Sequence, residues 1–174
     1  MNTSINEPIN ASVNAPAKVS VSLALYQPDI PQNTGNLFRT AACFGVPVHV
    51  IEPCGFALSD TRMRRAGMDY MAHVDLRRHE SWQRFQVDRG SDQSAGRLIL
   101  LTTRGETMLP SFSFIGGDVL LLGRESAGVP DAVHDACDAR VVLPMQAGVR
   151  SMNVAVAGGI AIFEALRQLH ALPG

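Results

Sequence analysis

Short apolar segments that alternate with helix-like segments constrain the fold of this chain most strongly. RLILL (97–101), DVLLL (118–122) and ARVVL (139–143) are each long enough for one strand and are apolar almost throughout. Strands covered on one face alternate apolar and polar residues, whereas strands covered on both faces form continuous apolar runs. The pattern therefore predicts an α/β fold with a mostly parallel sheet and helices on both faces.

The other elements are predicted from periodicity and from helix and turn signals. The polar stretch 88–96 is predicted to be a surface loop. Asp60 and Ser151 are the predicted N-caps of two of the helices. Further strands are predicted at 19–26, 46–51 and 71–74, and helices at 35–44, 61–66, 82–87, 130–136 and 153–169.

The size and composition of the chain indicate one domain. Its 174 residues are 46% hydrophobic, and no repeat or linker divides the region 18–174. Residues 1–17 are polar and contain Pro8 and Pro16, so we expect a disordered N-terminal tail. The first residues also lack the basic and apolar regions of a signal peptide.

Charge, cysteine and histidine content exclude several classes of function. The net charge is −1, so no overall basic field indicates a nucleic-acid partner. Three cysteines without a C-x-x-C pair favour a reduced, cytoplasmic setting, and five histidines without ligand spacing predict no metal site. No apolar run reaches the roughly 18 residues of a membrane span, so we expect no membrane contact.

Polar or glycine-rich stretches follow three of the predicted strands. They are LLTTRGE (100–106), LLGRESAGVP (121–130) and VLPMQAGVRSMN (142–153). Ligands of open α/β sheets bind beyond the carboxyl ends of the strands, so these stretches should converge on one crevice. Because neither G-x-x-x-x-G-K-[ST] nor G-x-G-x-x-G is present, the crevice favours a nucleoside-like cofactor held by backbone bonds.

RESAG (124–128) offers an alternative, because it comes close to the G-x-S-x-G nucleophile elbow of hydrolases. The first glycine of that motif is one residue too early, at Gly123, and Arg124 would crowd the strained turn. A hydrolase with Ser126 as nucleophile is therefore disfavoured.

The stretch NTGNLFRTAACFG (33–45) places an arginine on the first turn of an otherwise apolar helix. A helix that only packs against a sheet does not need Arg39 there, so this residue is a candidate for chemistry. For Asn33 and Asn36, turn and cap formation is an equally good explanation. Gly158 and Gly159, in the longest helix, indicate either tight helix packing or a place where the chain crosses itself or another subunit.

Together these motifs resemble the SPOUT superfamily of S-adenosylmethionine-dependent RNA methyltransferases, and within it the small tRNA wobble-ribose 2′-O-methyltransferases. The resemblance covers residues 20–172, and its order and spacing make it specific. Two segments depart from the usual motifs, GRESAG (123–128) and QAGVR (146–150). The matching segments are IPQNTGNLFRTAACFG, IEPCGF, RRAGMDY, LTTRG, LLGRESAGVP and LPMQAGVRSMNVAVAGGIAIFEALRQL.

The resemblance implies a C-terminal deep trefoil knot, although knots are almost absent from proteins. It implies S-adenosylmethionine as cofactor, without a metal, and a homodimer in which each site is completed by the other subunit. The implied substrate is the wobble nucleotide in the anticodon loop of certain tRNAs, a cytidine or modified uridine of leucine tRNAs. The implied cofactor-binding residues are Leu101, Gly123, Leu143 and Ser151.

The resemblance also assigns catalytic positions. Arg39 is implied to activate the ribose hydroxyl, and Asn33 to order the loop before it. An arginine with its ordinary pKa above 12 is a weak base, so orienting a phosphate or stabilising an alkoxide are alternative roles. Glu125, Ser151 and Asn153 match the remaining polar positions of the family's motifs.

Two rival functions remain at this stage. The first is an enzyme of the same fold that modifies another RNA site, such as ribosomal RNA. The second is a non-catalytic RNA- or nucleoside-binding module. An arginine cluster could contact RNA phosphates, or it could be a solvated face paired with Asp60, Asp69 and Asp75. The cluster consists of Arg62, Arg64, Arg65, Arg77 and Arg78.

Overall fold

The computed structural model describes residues 21–58, 70, 73–92 and 96–174, and five of its seven strands fall close to the apolar runs of the sequence. The seven strands are β1 (Ser22–Tyr26), β2 (Val48–Ile51), β3 (Leu76–His79), β4 (Leu98–Leu101), β5 (Thr107–Met108), β6 (Val119–Leu122) and β7 (Ala139–Val142). The helices are α1 (Pro31–Phe44), α2 (Trp82–Ser91), α3 (Asp131–Asp135) and α4 (Val154–Gln168), with a 3-10 turn at Leu109–Ser111.

Within the described residues the strands form one sheet in the order β3-β2-β1-β6-β4-β7-β5, and every pairing is parallel. In its centre Leu122 is level with Leu25 of β1 and Leu101 of β4, and Leu101 is level with Val141 of β7. The carboxyl ends of these four strands therefore meet at one edge, where the loops that follow them come together.

Both faces of the sheet are covered, as the continuous apolar strands predicted. One face packs Leu25 and Leu122, among others, against α1 and α4. The other packs Tyr26 and Leu121 against α2 and α3 through Phe85 and Val133. The predicted α/β class with a mostly parallel sheet and helices on both faces is confirmed.

Helix α1 begins earlier than the sequence predicted. The expected start at residue 35 is wrong because Pro31 is the first helical residue, a position where its missing N–H costs nothing. The helix ends as predicted at Gly45, whose φ of 66° allows its N–H to reach the carbonyls of Ala41 and Ala42. Arg39 consequently lies in the middle of α1 and not on its first turn.

Helix α4 is capped by Asn153, not by Ser151 as the sequence predicted. The Asn153 Oδ1 accepts hydrogen bonds from the N–H groups of Ala155 at 2.9 Å and Val156 at 3.3 Å. Ser151 lies outside the helix, in the exposed segment that leads to it. Asn153, one of the predicted site residues, therefore lies at the N-terminus of α4.

Gly158 fits α4 tightly against its neighbours, whereas Gly159 does not. A Cβ on Gly158 would lie 2.6 Å from a methyl group of Leu37 and 2.8 Å from one of Leu122. A Cβ on Gly159 would meet only the Thr40 methyl group, at 3.8 Å. Close packing of α4 on α1 and β6 therefore explains Gly158.

Strand β3 lies later in the chain than predicted. The described part of the expected strand 71–74 is not extended sheet, and the strand occupies Leu76–His79, whose charged residues concealed it. His79 anchors this edge, because its Nδ1 lies 2.8 Å from Asp88 Oδ2 and its Nε2 2.9 Å from His49 Nδ1. Burial, with the nearby His79 and Arg77, lowers the pKa of His49 to about 4.

One further prediction is wrong, and three others concern residues that the structure does not describe. Helix α2 continues to Ser91, so the predicted loop 88–96 begins too early. The predicted tail 1–17, the helix 61–66 and its cap Asp60 lie outside the described residues.

In the described parts of the chain, no helix is both long and apolar enough to cross a membrane.

Candidate functional site

A cavity of about 850 Å³ lies at the carboxyl edge of the sheet, which we call the crevice. All three stretches predicted to converge contribute to it, together with the loop between β1 and α1. Its volume is within the range of small-molecule sites. The residues used below from its lining are Asn33, Leu101, Gly123, Glu125, Ser126, Gly128, Leu143, Ser151 and Asn153.

The four predicted cofactor-binding residues all line the crevice. Leu101 ends β4 and Leu143 follows β7, and both are almost fully buried, so they form an apolar wall. Gly123 follows β6 directly, and Ser151 lines the crevice with an exposed side chain. The structure thus combines apolar surface with accessible backbone, as a nucleoside-like ligand requires.

Gly123 allows the chain to fold back on itself. A Cβ on Gly123 would lie 2.6 Å from the Gly128 carbonyl carbon and 2.8 Å from its Cα. Arg124 and Gly128 pair through two backbone hydrogen bonds, of 3.0 and 2.9 Å. Gly128 adopts a φ of 66°, a conformation that glycine takes without penalty. Residues 124–128 therefore form a closed turn over the crevice, which we call the 124–128 turn.

The 124–128 turn also bears on the hydrolase alternative. The Ser126 hydroxyl donates a hydrogen bond to the Asp29 carboxylate. A nucleophilic serine needs a base such as an imidazole to accept its proton. Here the hydroxyl holds a turn together, so the structure gives no support to a Ser126 nucleophile.

Asn33 and Asn153 join two parts of the site that are 120 positions apart in the chain. The Oδ1 of Asn153 faces the N-terminus of α4, so its Nδ2 is free to point away and donates to Asn33 Oδ1 at 3.0 Å. The cap geometry thus fixes which end of the Asn153 amide faces Asn33. The structure brings both predicted amides together.

Glu125 pairs with Asp29, a residue that the sequence predictions missed. The Glu125 Oε2 accepts from the Asp29 N–H at 3.3 Å, and Asp29 Oδ1 accepts from the Glu125 N–H at 3.1 Å. Burial, together with the neighbouring Asp29, raises the pKa of Glu125, although Asn33 opposes the shift. The signal that could have identified Asp29 was its position in QPDIPQ, directly beyond the end of β1.

The Asp29 carboxyl group keeps its charge more readily than Glu125. Burial alone would raise its pKa, but hydrogen bonds from Glu125 and Ser126 outweigh burial and lower the pKa of Asp29 to about 2. The two carboxyl groups interact, so they titrate as a pair in which Glu125 takes up the first proton. A carboxylate and a more readily protonated acid therefore lie side by side at the edge of the crevice.

Arg39 lies outside the crevice, in a neighbouring groove of about 940 Å³ between α1 and α4. We call this the α1–α4 groove. Its floor is largely apolar, and Asn153 lines both it and the crevice. The Arg39 guanidinium is exposed and lies 5.0 Å from the centre of the Tyr70 ring. The sequence predictions did not identify this cation–π contact.

The described part of the arginine cluster forms ion pairs. Arg77 lies 3.0 Å from Asp75 and 3.5 Å from Asp92, and Arg78 lies 2.6 Å from Glu52. These arginines are half exposed, so the pairs add little stability, but they favour the solvated-face interpretation for both residues. Arg62, Arg64 and Arg65, with Asp60 and Asp69, lie outside the described residues.

Residues 20–163 match the model of the SpoU rRNA Methylase family, and the chain belongs to this family. A relative from Ancylobacter novellus, a tRNA (cytidine(34)-2'-O)-methyltransferase, is 51% identical over 150 residues, which cover 86% of this chain and 94% of the relative.

Two solved structures share the fold. One, concerned with the 2-OH methylation of C/U34 on tRNA, has a TM-score of 0.81 and 45% identity, and the match covers 88% of this chain and 99% of that one. The other is the SpoU methyltransferase AviRb of Streptomyces viridochromogenes in complex with AdoMet. It has a TM-score of 0.79 and 23% identity over 88% of this chain and 62% of that one, and it supports the fold alone.

Replacing Gly123 with alanine tests the close contact in the 124–128 turn. The added methyl group would overlap the Gly128 backbone, which cannot move without breaking its pairing with Arg124. We expect the free energy of unfolding in urea to fall by about 1–3 kcal/mol.

Gly90→Ala is the matched control. Its Cβ would meet no atom within 4 Å, and the residue lies in α2. This variant should be neutral or more stable by up to about 1 kcal/mol. Equal stability of Gly123→Ala and the native chain would show that the close contact does not exist.

Proposed function

We propose that this protein transfers a methyl group from S-adenosylmethionine to the ribose 2′-hydroxyl of tRNA nucleotide 34, a cytidine or modified uridine. The main support is the similarity to the Ancylobacter novellus relative, which is named for this reaction. The two sequences are 51% identical, and the match covers 94% of the relative. The convergence of the predicted cofactor-binding residues on one crevice supports the same conclusion. Leucine tRNAs are the substrates that the resemblance to the wobble-ribose 2′-O-methyltransferases implies.

The crevice fits a nucleoside-type methyl donor. S-Adenosylmethionine supplies an electrophilic methyl group on a sulfonium sulfur. Leu101 and Leu143 would cover its apolar surface, while Gly123 lines the crevice directly after β6 and brings its backbone to the ligand. Ser151 would contribute a hydroxyl from the exposed side. The name of the family, SpoU rRNA Methylase, agrees with a methyl donor in this crevice.

Arg39 is proposed to act on the RNA rather than on the donor, because it lines the α1–α4 groove and not the crevice. Its exposed guanidinium can hold the phosphate next to the reacting ribose or stabilise the alkoxide as the proton leaves. The ring of Tyr70 restricts where the guanidinium can go. Asn153 lies at the boundary between groove and crevice, where the ribose must meet the donor.

The experiment is methylation of tRNA from cells that lack the protein, followed by nucleoside mapping by mass spectrometry. The native protein should place one methyl group on the ribose of nucleotide 34. Arg39→Ala should lower kcat about 10²- to 10³-fold, since it removes a group that acts on developing charge. Binding of S-adenosylhomocysteine, measured by calorimetry, should stay unchanged because Arg39 is outside the crevice.

Arg84→Ala is the control, because Arg84 is an exposed arginine of α2 that pairs with Asp88 on the surface. It should methylate tRNA at the native rate. Near-normal turnover by Arg39→Ala would refute the role of Arg39. Methylation of ribosomal RNA alone would favour the first rival, and donor binding without turnover on any RNA would favour the second.

We also propose that the protein is a homodimer formed across the α1–α4 groove. Val156, Ile160 and Phe163 are 53%, 40% and 47% exposed, and they follow one another along a single face of α4. Gly159 lies between them without a side chain to block close approach. Burying this face in a second copy would place that copy beside Arg39, which agrees with a site completed by both subunits.

Phe163→Glu should convert the dimer to a monomer in sedimentation analysis, because it would bury a charge in an apolar contact. Val87→Glu is the control, since Val87 is 60% exposed on α2, on the opposite side of the sheet. A native protein that sediments as a monomer, or a Phe163→Glu variant that stays dimeric, would contradict the proposal.

The C-terminal segment is proposed to form the trefoil knot that the resemblance to the SPOUT superfamily implies. Helix α4 is held from within the chain, because the Gln168 amide bonds to Phe112 and Phe114 in the segment that precedes β6. Pulling the two termini apart with optical tweezers should leave an unfolded chain shorter than its full contour length. Full extension would exclude the knot.

A further inference from the structure

Asp29 holds the 124–128 turn through both of its carboxylate oxygens and its backbone N–H. Its Oδ1 accepts from the Glu125 N–H at 3.1 Å and its Oδ2 from the Ser126 N–H at 3.3 Å. Oδ2 also accepts from the Ser126 hydroxyl, and the Asp29 N–H donates to Glu125 Oε2. Residues 96 positions apart are thus joined side chain to backbone in both directions.

A third segment fixes the position of Asp29 from behind. The Gly55 N–H donates to the Pro28 carbonyl at 2.9 Å. A Cβ on Gly55 would lie 3.0 Å from both the Cα and the Cβ of Asp29. The loop after β2 therefore packs against the backbone of Asp29. The Asp29 carboxylate faces the other way, toward the 124–128 turn.

The contact with Asp29 helps to fix the orientation of the 124–128 turn. The turn is closed internally by the pairing of Arg124 with Gly128 and by the close approach of Gly123. The Arg124 guanidinium, 5.9 Å from the centre of the Tyr26 ring, and the buried Val129 tie the turn to the sheet. The bonds to Asp29 add a link from the turn to the loop between β1 and α1.

The contact continues toward the reacting groups. Asn33 lies near enough to the Glu125 carboxyl group to lower its pKa, against the effects of burial and Asp29. Asn33 in turn accepts from Asn153, which caps α4 and lines both cavities. A line of polar contacts thus runs from Asp29 through Glu125 and Asn33 to Asn153.

We propose that Asp29 is a positioning residue for the methyl transfer. It fixes the 124–128 turn on the donor side and, through Glu125, the Asn33–Asn153 pair on the ribose side. The proposal rests on the proposed function, since it assigns Asp29 a role within that reaction. Asp29 itself is not expected to contact donor or RNA, because its polar atoms are used by the turn.

Asp29→Asn is the test variant, since it keeps the size of the side chain but replaces one acceptor oxygen with a donor that faces N–H groups. We expect kcat for tRNA to fall about 10- to 100-fold, the range for losing hydrogen bonds to a charged group. The KM for tRNA should stay unchanged, because the RNA surface is untouched. The Kd for S-adenosylhomocysteine, measured by calorimetry, should rise about tenfold.

Ser126→Ala is a second variant that removes a single donor and is too small a change to prevent folding. It should raise the Kd for S-adenosylhomocysteine about two- to fivefold. Asp135→Asn is the matched control, because the Asp135 carboxylate is 80% exposed and contacts His134 away from the crevice. It should match the native protein in kcat, KM and Kd.

The outcomes separate the two proposals. If the native protein methylates tRNA and both Asp29→Asn and Ser126→Ala match it in kcat and Kd, the role of Asp29 is refuted and the function stands. A rise in KM for tRNA with kcat unchanged would also refute it, because Asp29 would then act on RNA binding. If the native protein methylates no tRNA, the proposed function fails, and the Kd values alone decide whether Asp29 holds the donor side.

Discussion

The parallel register of the four central strands determines where the loops that line the crevice begin. Leu25, Leu122, Leu101 and Val141 are level across β1, β6, β4 and β7, so the loops that follow these strands begin at the same edge. A slip of one residue would turn each strand over and move its apolar side chains to the opposite face. Because both faces are packed with helices, such a slip is strongly opposed, and the loops are held in fixed relation.

Glycine determines how closely the elements around this edge approach one another. Gly123 lets the 124–128 turn fold against its own strand, and Gly158 lets α4 lie on Leu37 and Leu122. In both places an added Cβ would overlap atoms at less than 3 Å. The turn is therefore held by contact with backbone atoms, and α4 by close contact with two buried leucine side chains.

The sequence predicted the sheet and the crevice well, because both follow from local apolar patterns and from the rule for strand ends. It predicted less well what depends on tertiary contact. Strand β3 was misplaced because LRRH is charged. Its ladder with β2 and the contacts of His79 with His49 and Asp88 outweigh its weak strand preference. Asp29 was missed because its partners are 96 and 97 positions away and no spacing rule connects them.

Arg39 and the predicted cofactor-binding residues line two separate cavities, which suit two different ligands. The crevice combines the apolar wall of Leu101 and Leu143 with backbone and polar groups, which suit a nucleoside-type ligand, while the α1–α4 groove carries an exposed cation, which suits an RNA phosphate. Asn153 is the residue that lines both, and its amide is fixed at one end by the α4 cap and at the other by Asn33. A rigid polar group at this boundary is what a transfer between two ligands requires, since the reacting atoms must meet within a fraction of an ångström of the productive geometry.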